Sequence, residues 1–580
     1  MRWGSLLFPL IAFFTVQAQP GRPLRVVDAE NGTPLPYATI LVHGTAKGTI
    51  TNSEGGFELP ELRDHDTLRI SFVGYITRYI AYPEAVSTGK IAMERAQFQL
   101  GEVTVRPGEP QYKRVMAAAR WLARTPEVRS KMFFGIETHK DTVPVEMIHA
   151  YYNAHTRGGR LRQLDMKQGR IGIKDISGRF FINFNTTRAF ALMDIFSGRG
   201  LFPDSPLGVS GVAEMKRYFT AQLISEGTGT DGIDHIKVVP RHPGSARFTL
   251  DLWLAHKSDQ VRALELHCTD CAIHPFRPLF EGGRIDTIDM RFRQTWSTSG
   301  EYMPEVMELG LRTVYSGIGF SEAFRTHAVM HAFEPGGSFI LPLFNYPEGI
   351  SDYHRIGWLP EDTLFWQRMH PPLPTERQQR DMAFLLDHDL RQDENRTYSH
   401  IERRQLSPFY GIWSADRRFL LQGLSLYPPP EIRTRRRESA IENLHVYALG
   451  PLMDLVAQFH LDLDTLDGRL LHRSVTVLDG AFSFDHRAEH PWTDAFHNIW
   501  LDMCEIERRK MEARLNAIGP DLDQARSIHA EYSEKLIALK AAYLSDTQHG
   551  EFLDQVKVYN DRVRDQLGID NLAIFGLQAY

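Results

Sequence analysis

The sequence predicts a multidomain, mainly β protein: an N-terminal β-sandwich, then a long curved antiparallel sheet, then a C-terminal α-helical bundle. Three observations carry that prediction. Apolar and polar residues alternate with period two in short runs from Pro23 to about Val105 and again from about residue 131 to 343, as in Phe248, Leu250, Leu252 and Leu254 against Arg247, Thr249, Asp251 and Trp253. After residue 500 the period lengthens to that of a helix. A chain of 580 residues is also too long for one hydrophobic core.

Elements follow in order. Arg2, an apolar run from Leu6 to Val16 and the small-residue site Val16-Gln17-Ala18 read as a signal peptide over residues 1–18, with a mature chain starting near Gln19. Residues 19–106 form the sandwich: Leu68, Ile70 and Phe72 share one strand face, while Asn31-Gly32 and Gly55-Gly56 supply the positive φ angles of tight turns. Residues 107–130 are a linker and a helix bearing Val115, Met116, Ala119 and Leu122. Residues 131–370 are the central antiparallel domain, with one hairpin returning through "VRALEL" and a second across Gly300. Residues 371–440 are a linker with a helix, opened by "HPPLPTERQQRD" and closed by the stiff, polar "YPPPEIRTRRRE". Residues 441–580 are mainly helical, with stripes at Trp500, Met503, Cys504, Met511 and Leu515, then Ala525 to Tyr543, then Val556 to Leu567.

Within residues 22–106, the string "VVDAENGTPLPYATILVHGTAKGTITNSEGGFEL", the later "LRISFVGYITR" and the exit strand Leu100 to Val105 resemble the carboxypeptidase-regulatory-like domain, a transthyretin-like sandwich. The resemblance implies a non-catalytic module, of the kind found at the N-terminus of envelope proteins in Gram-negative bacteria. The remainder is similar to uncharacterised envelope proteins. Together these give the expected function: a non-catalytic envelope binding or scaffolding protein in the periplasm or at the outer membrane. Its partner would be an envelope protein or glycan, or another outer-membrane component.

A net charge of −6 offers no concentrated basic surface for nucleic acid. No run after the signal reaches the roughly 20 apolar residues of a transmembrane helix. P-loop, dinucleotide and G-x-S-x-G fingerprints are absent, so the sequence implies no cofactor and no catalytic residue.

Two strings suggest chemistry. His486, Glu489 and His490 spell H-x-x-E-H, in which two histidines on successive helical turns would bind zinc and the acid would activate water. Pro491 biases His490 away from helical angles, so this zinc-hydrolase reading stays an alternative. In "HCTDCAIHPF", Cys268 and Cys271 could be a metal knuckle with His267 and His274, a redox dithiol, or a local disulfide in a turn. The disulfide is the expectation, with Cys504 as the odd thiol. Asp462 and Asp464 have the oxygen-rich spacing of a calcium loop but lack the bidentate Glu, and read as a surface loop or an amphipathic segment. A further alternative makes the central sheet a half-barrel that cradles an acyl chain.

Overall fold

The structure is a computed structural model. It describes residues 23–577 except 46, 60–61, 97, 100–108, 174–185, 198–199, 230–231, 243–245, 277–281, 298–301, 347–351, 353–354, 357–358, 360–361, 388–409, 421–423, 425–452, 481 and 488–489. The signal-peptide reading, the arginine-rich connector and Glu489 lie outside the described residues.

Two compact units divide the chain, the first built from residues up to Ala96 with His370–Thr375, the second from the rest. In the first, β1 (Leu24–Asp28), β4 (Gly56–Phe57) and β7 (Lys90–Met93) form one sheet in the order β4-β1-β7. Strands β2 (Thr39–Val42), β3 (Gly48–Ile50), β5 (Thr67–Ser71) and β6 (Arg78–Ala81) form a second in the order β3-β2-β5-β6, and a short helix α1 (Tyr82–Thr88) leads into β7. Val26, Ile40, Phe57, Leu68, Ile70, Ile91 and Met93 are fully buried between them. Phe72 falls just past the end of β5 and is half-buried.

The local chemistry of "TNSEGGF" is explicit. The Asn52 side chain accepts from the backbone N–H of Glu54 and Gly56 at 2.9 and 2.8 Å, and Gly55 has φ +74°. A Cβ on Gly55 would sit 2.5 Å from the Val26 carbonyl oxygen, so only glycine fits. The tyrosine of "SFVGY" has a partner as well: Tyr75 donates its hydroxyl to Asp28 at 2.7 Å, Arg95 adds a 2.7 Å ion pair, and the two hold the Asp28 carboxyl well below the usual range.

The second unit opens with β8 (Phe98–Gln99) and α2 (Glu109–Ala123). A meander follows: β9 (Glu127–Lys140), β10 (Val143–Arg157) and β11 (Arg160–Ile173). Helices α3 (Thr186–Leu192) and α4 (Val212–Tyr218) lead to β12 (Phe219–Gly227), β13 (Ile233–Pro240), β14 (Thr249–Ala255), β15 (Val261–Cys268), β16 (Arg284–Trp296), β17 (Pro304–Gly317) and β18 (Phe320–Pro335). These make one antiparallel sheet in the order β11-β10-β9-β18-β17-β16-β15-β14-β13-β12-β8. Both hairpins read from the alternation are present, β14 with β15 and β16 with β17.

Helix α2 requires this sheet to curl. Tyr112 hydrogen-bonds the Phe219 carbonyl at the start of β12 at 3.4 Å, while Leu122 and Ala123 lie against Gly158 in the β10–β11 turn. Ten helical residues cover about 15 Å. Strands β10 and β12 are eight spacings apart, about 38 Å in a flat sheet. The face that meets α2 is therefore concave. Phe134, Ile136, Leu252, Leu266, Leu309 and Met330 cover it, and Val115, Ala118 and Leu122 of α2 and Phe190 of α3 are buried in the same core.

The C-terminal lobe is a layer of helices on a sheet. Helices α5 (Thr363–Arg368) and α6 (Glu376–Asp387) precede strands β19 (Tyr410–Ile412), β20 (Met453–Asp454), β21 (Ala457–Leu466), β22 (Arg469–Asp479) and β23 (Phe484–Asp485). Helices α7 (Thr493–Leu515), α8 (Leu522–Asp546), α9 (Leu553–Leu567) and α10 (Asn571–Ile574) follow. Strands β19, β22 and β21 pair in that order, and Phe459, Leu461, Leu478, Trp500, Met503, Cys504 and Tyr543 share one core with the helices. Among the described residues no helix is long and apolar enough to cross a membrane.

Here the surface-loop reading of Asp462 is corrected, and the segment is instead an amphipathic strand. Asp462 lies inside β21, buried, with the Lys167 ammonium 2.5 Å away and Gln168 as a second donor, and its neighbour Asp464 pairs with Arg368 at 2.9 Å. The leucines interleaving the aspartates are the strand's other face, and Asp467-Gly468, both with positive φ, make the two-residue turn into β22.

Asp502 of α7 is fully buried and held by Arg418 at 2.9 Å, the Trp413 indole at 2.6 Å and Asn571 at 2.7 Å. Arg418→Met strands this carboxylate, so it should cost about 3–5 kcal/mol in urea unfolding, with much of the loss recovered in the Arg418→Met/Asp502→Leu double variant. A loss within 1 kcal/mol for the single variant would refute the account.

Candidate functional site

The residues singled out by sequence are dispersed. His486 and His490 both lie in non-helical chain between β23 and α7, which begins at Thr493. His490 is 3.0 Å from the Glu551 carboxylate and stacks on Trp492 at 4.8 Å, the local arrangement that the Pro491 break permits. The two histidines thus lack the continuous helix that H-x-x-E-H requires. Cys268 and Cys271 are joined as a disulfide with Cα atoms 5.8 Å apart, both buried at the edge of the concave-face core, and Cys504 is a buried free thiol. Strand alternation sends His267 to the face opposite Cys268, and His274 bonds the Phe276 carbonyl at 3.1 Å.

Among the described residues, the convex face brings together a group of acidic and histidine side chains. On β9, Glu137 and His139 are two residues apart and so project together, opposite the buried Ile136 and Thr138. Helix α6 crosses over them: Asp381 meets His139 Nε2 at 2.9 Å, and Gln378, one turn earlier, donates to Glu137 at 3.3 Å. Further along, Leu385 packs on Gly172 of β11, where a Cβ would lie 2.9 Å from the leucine's own Cβ. The absent side chain lets the helix lie close to the sheet.

From this cluster a ladder of charged residues, most of them paired with an opposite charge, runs across the strands. His327 on β18 is directly opposite Glu137, its Nδ1 3.9 Å from that carboxylate. Its partner position on β17 is Gly310, which leaves room for the ring to lean towards Glu308, 3.8 Å from Nε2. Arg293 pairs with Glu308 at 3.1 Å, Arg291 with Glu265 at 2.8 Å, and His235 with Asp251 at 2.7 Å. Burial opposes ionisation of Glu308, but His327 and Arg293 outweigh it and hold its carboxyl below the usual range. Glu137, His139 and Asp381 bring one ligand atom each within 4.8 Å of one another, the arrangement of a cation site.

Sequence reasoning missed this set. Its one local signal is "IETHK", an acid and a histidine on the same strand face. Asp381 joins from 242 residues away and His327 from 190 positions beyond Glu137 in the chain.

Ionisable groups are also buried. Glu146 on the concave face accepts from Thr138 at 3.0 Å, and its other oxygen has no partner among the described residues. Burial pushes its carboxyl up to about 8. Burial likewise depresses His149 and His460 to about 3 and His331 to about 4, with the nearby Arg170 guanidinium adding to the effect at His149.

Three comparisons bear on these units. Residues 25–105 match the model of the CarboxypepD_reg-like domain family. The N-terminal sandwich is a carboxypeptidase-regulatory-like domain. No curated protein matches the chain. A chain from the complex structure of Pseudomonas aeruginosa MucA/MucB aligns over 38% of this chain and 93% of its own, at 8% identity and a TM-score of 0.15, values at which the likeness carries no argument.

A pH profile of stability tests the buried groups. The histidines are neutral in the fold but protonate below about 6.5 when unfolded, so they remove stability as pH falls from there. Glu146 is protonated in the fold and ionises from about 4.5 when unfolded, so its contribution is full below that pH and is lost as pH rises towards 8, by up to roughly 5 kcal/mol. Urea midpoints should peak near pH 7. Glu146→Gln should remove the fall between pH 7 and 8 and steepen the rise between pH 4.5 and 6.5, leaving the slope below pH 4.5 unchanged, and an alkaline fall as steep as wild type would contradict the assignment.

Proposed function

We propose that the protein is a non-catalytic binding or scaffolding factor of the cell envelope, exported by its N-terminal segment and working in the periplasm or at the outer membrane. The observation that carries this reading is the match of residues 25–105 to a module that is usually non-catalytic. Its strand β6 is a sheet edge bearing Tyr79, 54% exposed, with Ile76 just before it 42% exposed. An unpaired edge with exposed large side chains suits a protein strand or a sugar ring stacked on the tyrosine.

The acyl-chain carrier is weakened by the helices α2 and α3, whose side chains already occupy the concave apolar face. The zinc hydrolase is weakened by the non-helical setting of His486 and His490.

Two measurements test the proposal. Fractionation of expressing cells should recover a mature chain starting near Gln19 from the envelope, and uncleaved protein in the cytoplasm would overturn export. A photo-crosslinking amino acid at position 79 should capture one discrete envelope protein or glycan, whereas the same probe at exposed Val558 of α9 should not. Equal or absent capture at both sites would count against binding through β6.

A further inference from the structure

We propose that Glu137, His139 and Asp381, completed by His327, bind one divalent transition-metal ion of the zinc type, which fastens α6 to the convex face of the large sheet. This inference is independent of the envelope reading above.

The geometry is close to what a metal needs. A tetrahedral zinc with bonds of about 2.0–2.2 Å spaces its donor atoms roughly 3.3–3.6 Å apart. His139 Nε2 and Asp381 are 2.9 Å apart, His327 Nδ1 and Glu137 are 3.9 Å apart, and the three principal donors lie within 4.8 Å of one another. Adjustments of up to about 1.5 Å per pair, within reach of rotations of the glutamate and of the helix-borne aspartate, would bring the three principal donors to that spacing, and His327, which lies outside the 4.8 Å group, would swing in from beside Glu137 as the fourth.

Charge and donor type agree. Two carboxylates with two neutral imidazoles carry a formal −2, which a divalent cation neutralises. Imidazole donors select zinc and its transition-metal neighbours over magnesium or calcium, which take oxygen shells. The outer groups have the form metal sites use to orient ligands: Glu308 lies 3.8 Å from the far nitrogen of His327 and is itself held by Arg293, while Gln378 donates to Glu137. His139 is almost completely buried, its side chain only 6% exposed, so its position is set by packing. Two cationic groups oppose binding: the exposed Arg377 guanidinium, 3.5 Å from Asp381, and the exposed Arg325, directly opposite His139 on β18, both of which must stay turned into solvent when the cation enters.

A simple ion pair between His139 and Asp381 would dock α6 without metal, and the experiment separates the two cases. Full-length mature protein, stripped with a chelator and dialysed, is titrated with Zn2+ in competition with a chromogenic chelator. Wild type should take up one equivalent that also raises its urea midpoint. Asp381→Asn, which keeps an acceptor for His139, and His139→Ala should each lose that equivalent, and His327→Ala should weaken it by about 10–100-fold, the scale of an outer ligand or orienting group. The His486→Ala/His490→Ala variant should bind like wild type. No uptake by wild type, uptake unchanged in both Asp381→Asn and His139→Ala, or loss only in the His486/His490 variant would overturn the site. Circular dichroism of each variant guards against unfolding: a folded Asp381→Asn that still binds one equivalent with the wild-type midpoint shift refutes the proposal even if His139→Ala fails to fold.

Discussion

The second unit is organised by the need to bury one continuous apolar face of an eleven-stranded sheet, and α2 meets that need. A helix whose buried stripe spans about 15 Å touches both β12 and the β10–β11 turn, which in a flat sheet would be far beyond its reach. Curling the sheet round the helix lets Val115, Ala118 and Leu122 be completely buried, each apolar side chain of valine or leucine size contributing roughly 1.5–3 kcal/mol. Arg114, paired with Asp234 at 2.8 Å, and Trp121, edge-on to Tyr302 at 4.3 Å between ring centres, fix the helix at both ends.

Curvature then separates the chemistry of the two faces. Inside, polar groups are few and their protonation is governed by burial, as with the neutral Glu146. Outside, several charged residues on neighbouring strands pair with opposite charges, as Arg293 does with Glu308 and Lys237 with Asp251, although Glu265 and Asp251 face each other as like charges. Helix α6 covers only one end of that ladder, over β9 to β11, and this is where two carboxylates and two histidines are brought together and partly withdrawn from solvent. The buried Lys167–Asp462 pair ties the same region, through β11, to β21 of the C-terminal lobe. Its desolvation is offset by the Leu463 carbonyl and Gln168, which complete the hydrogen bonding of both charges.

Much of this was legible in particular residues. The alternation Phe248 to Leu254 placed β14 and its partner correctly, because period-two burial is a local property of any strand with one apolar face. The stripes at Trp500 to Leu515 and Ala525 to Tyr543 identified α7 and α8 for the same reason at the helical period. "TNSEGGF" announced a turn whose Asn52 and Gly55 carry out the steps their chemistry suggests. The segment around Asp462 misled, since charged residues at every second position look like a surface, and here the partner that justifies their burial, Lys167, is 295 residues away.

Local periodicity, turn chemistry and family likeness depend on neighbours along the chain, and they therefore specify the sandwich, the strand faces and the terminal helices directly from sequence. The curl of the sheet, the occupation of its concave face by α2 and the meeting of Glu137, His139, His327 and Asp381 depend on strand order and on helix placement across hundreds of residues. No local pattern encodes the pairing of β9 with β18 or the passage of α6 above them; those contacts arise only when long loops close and the faces they join exclude water together.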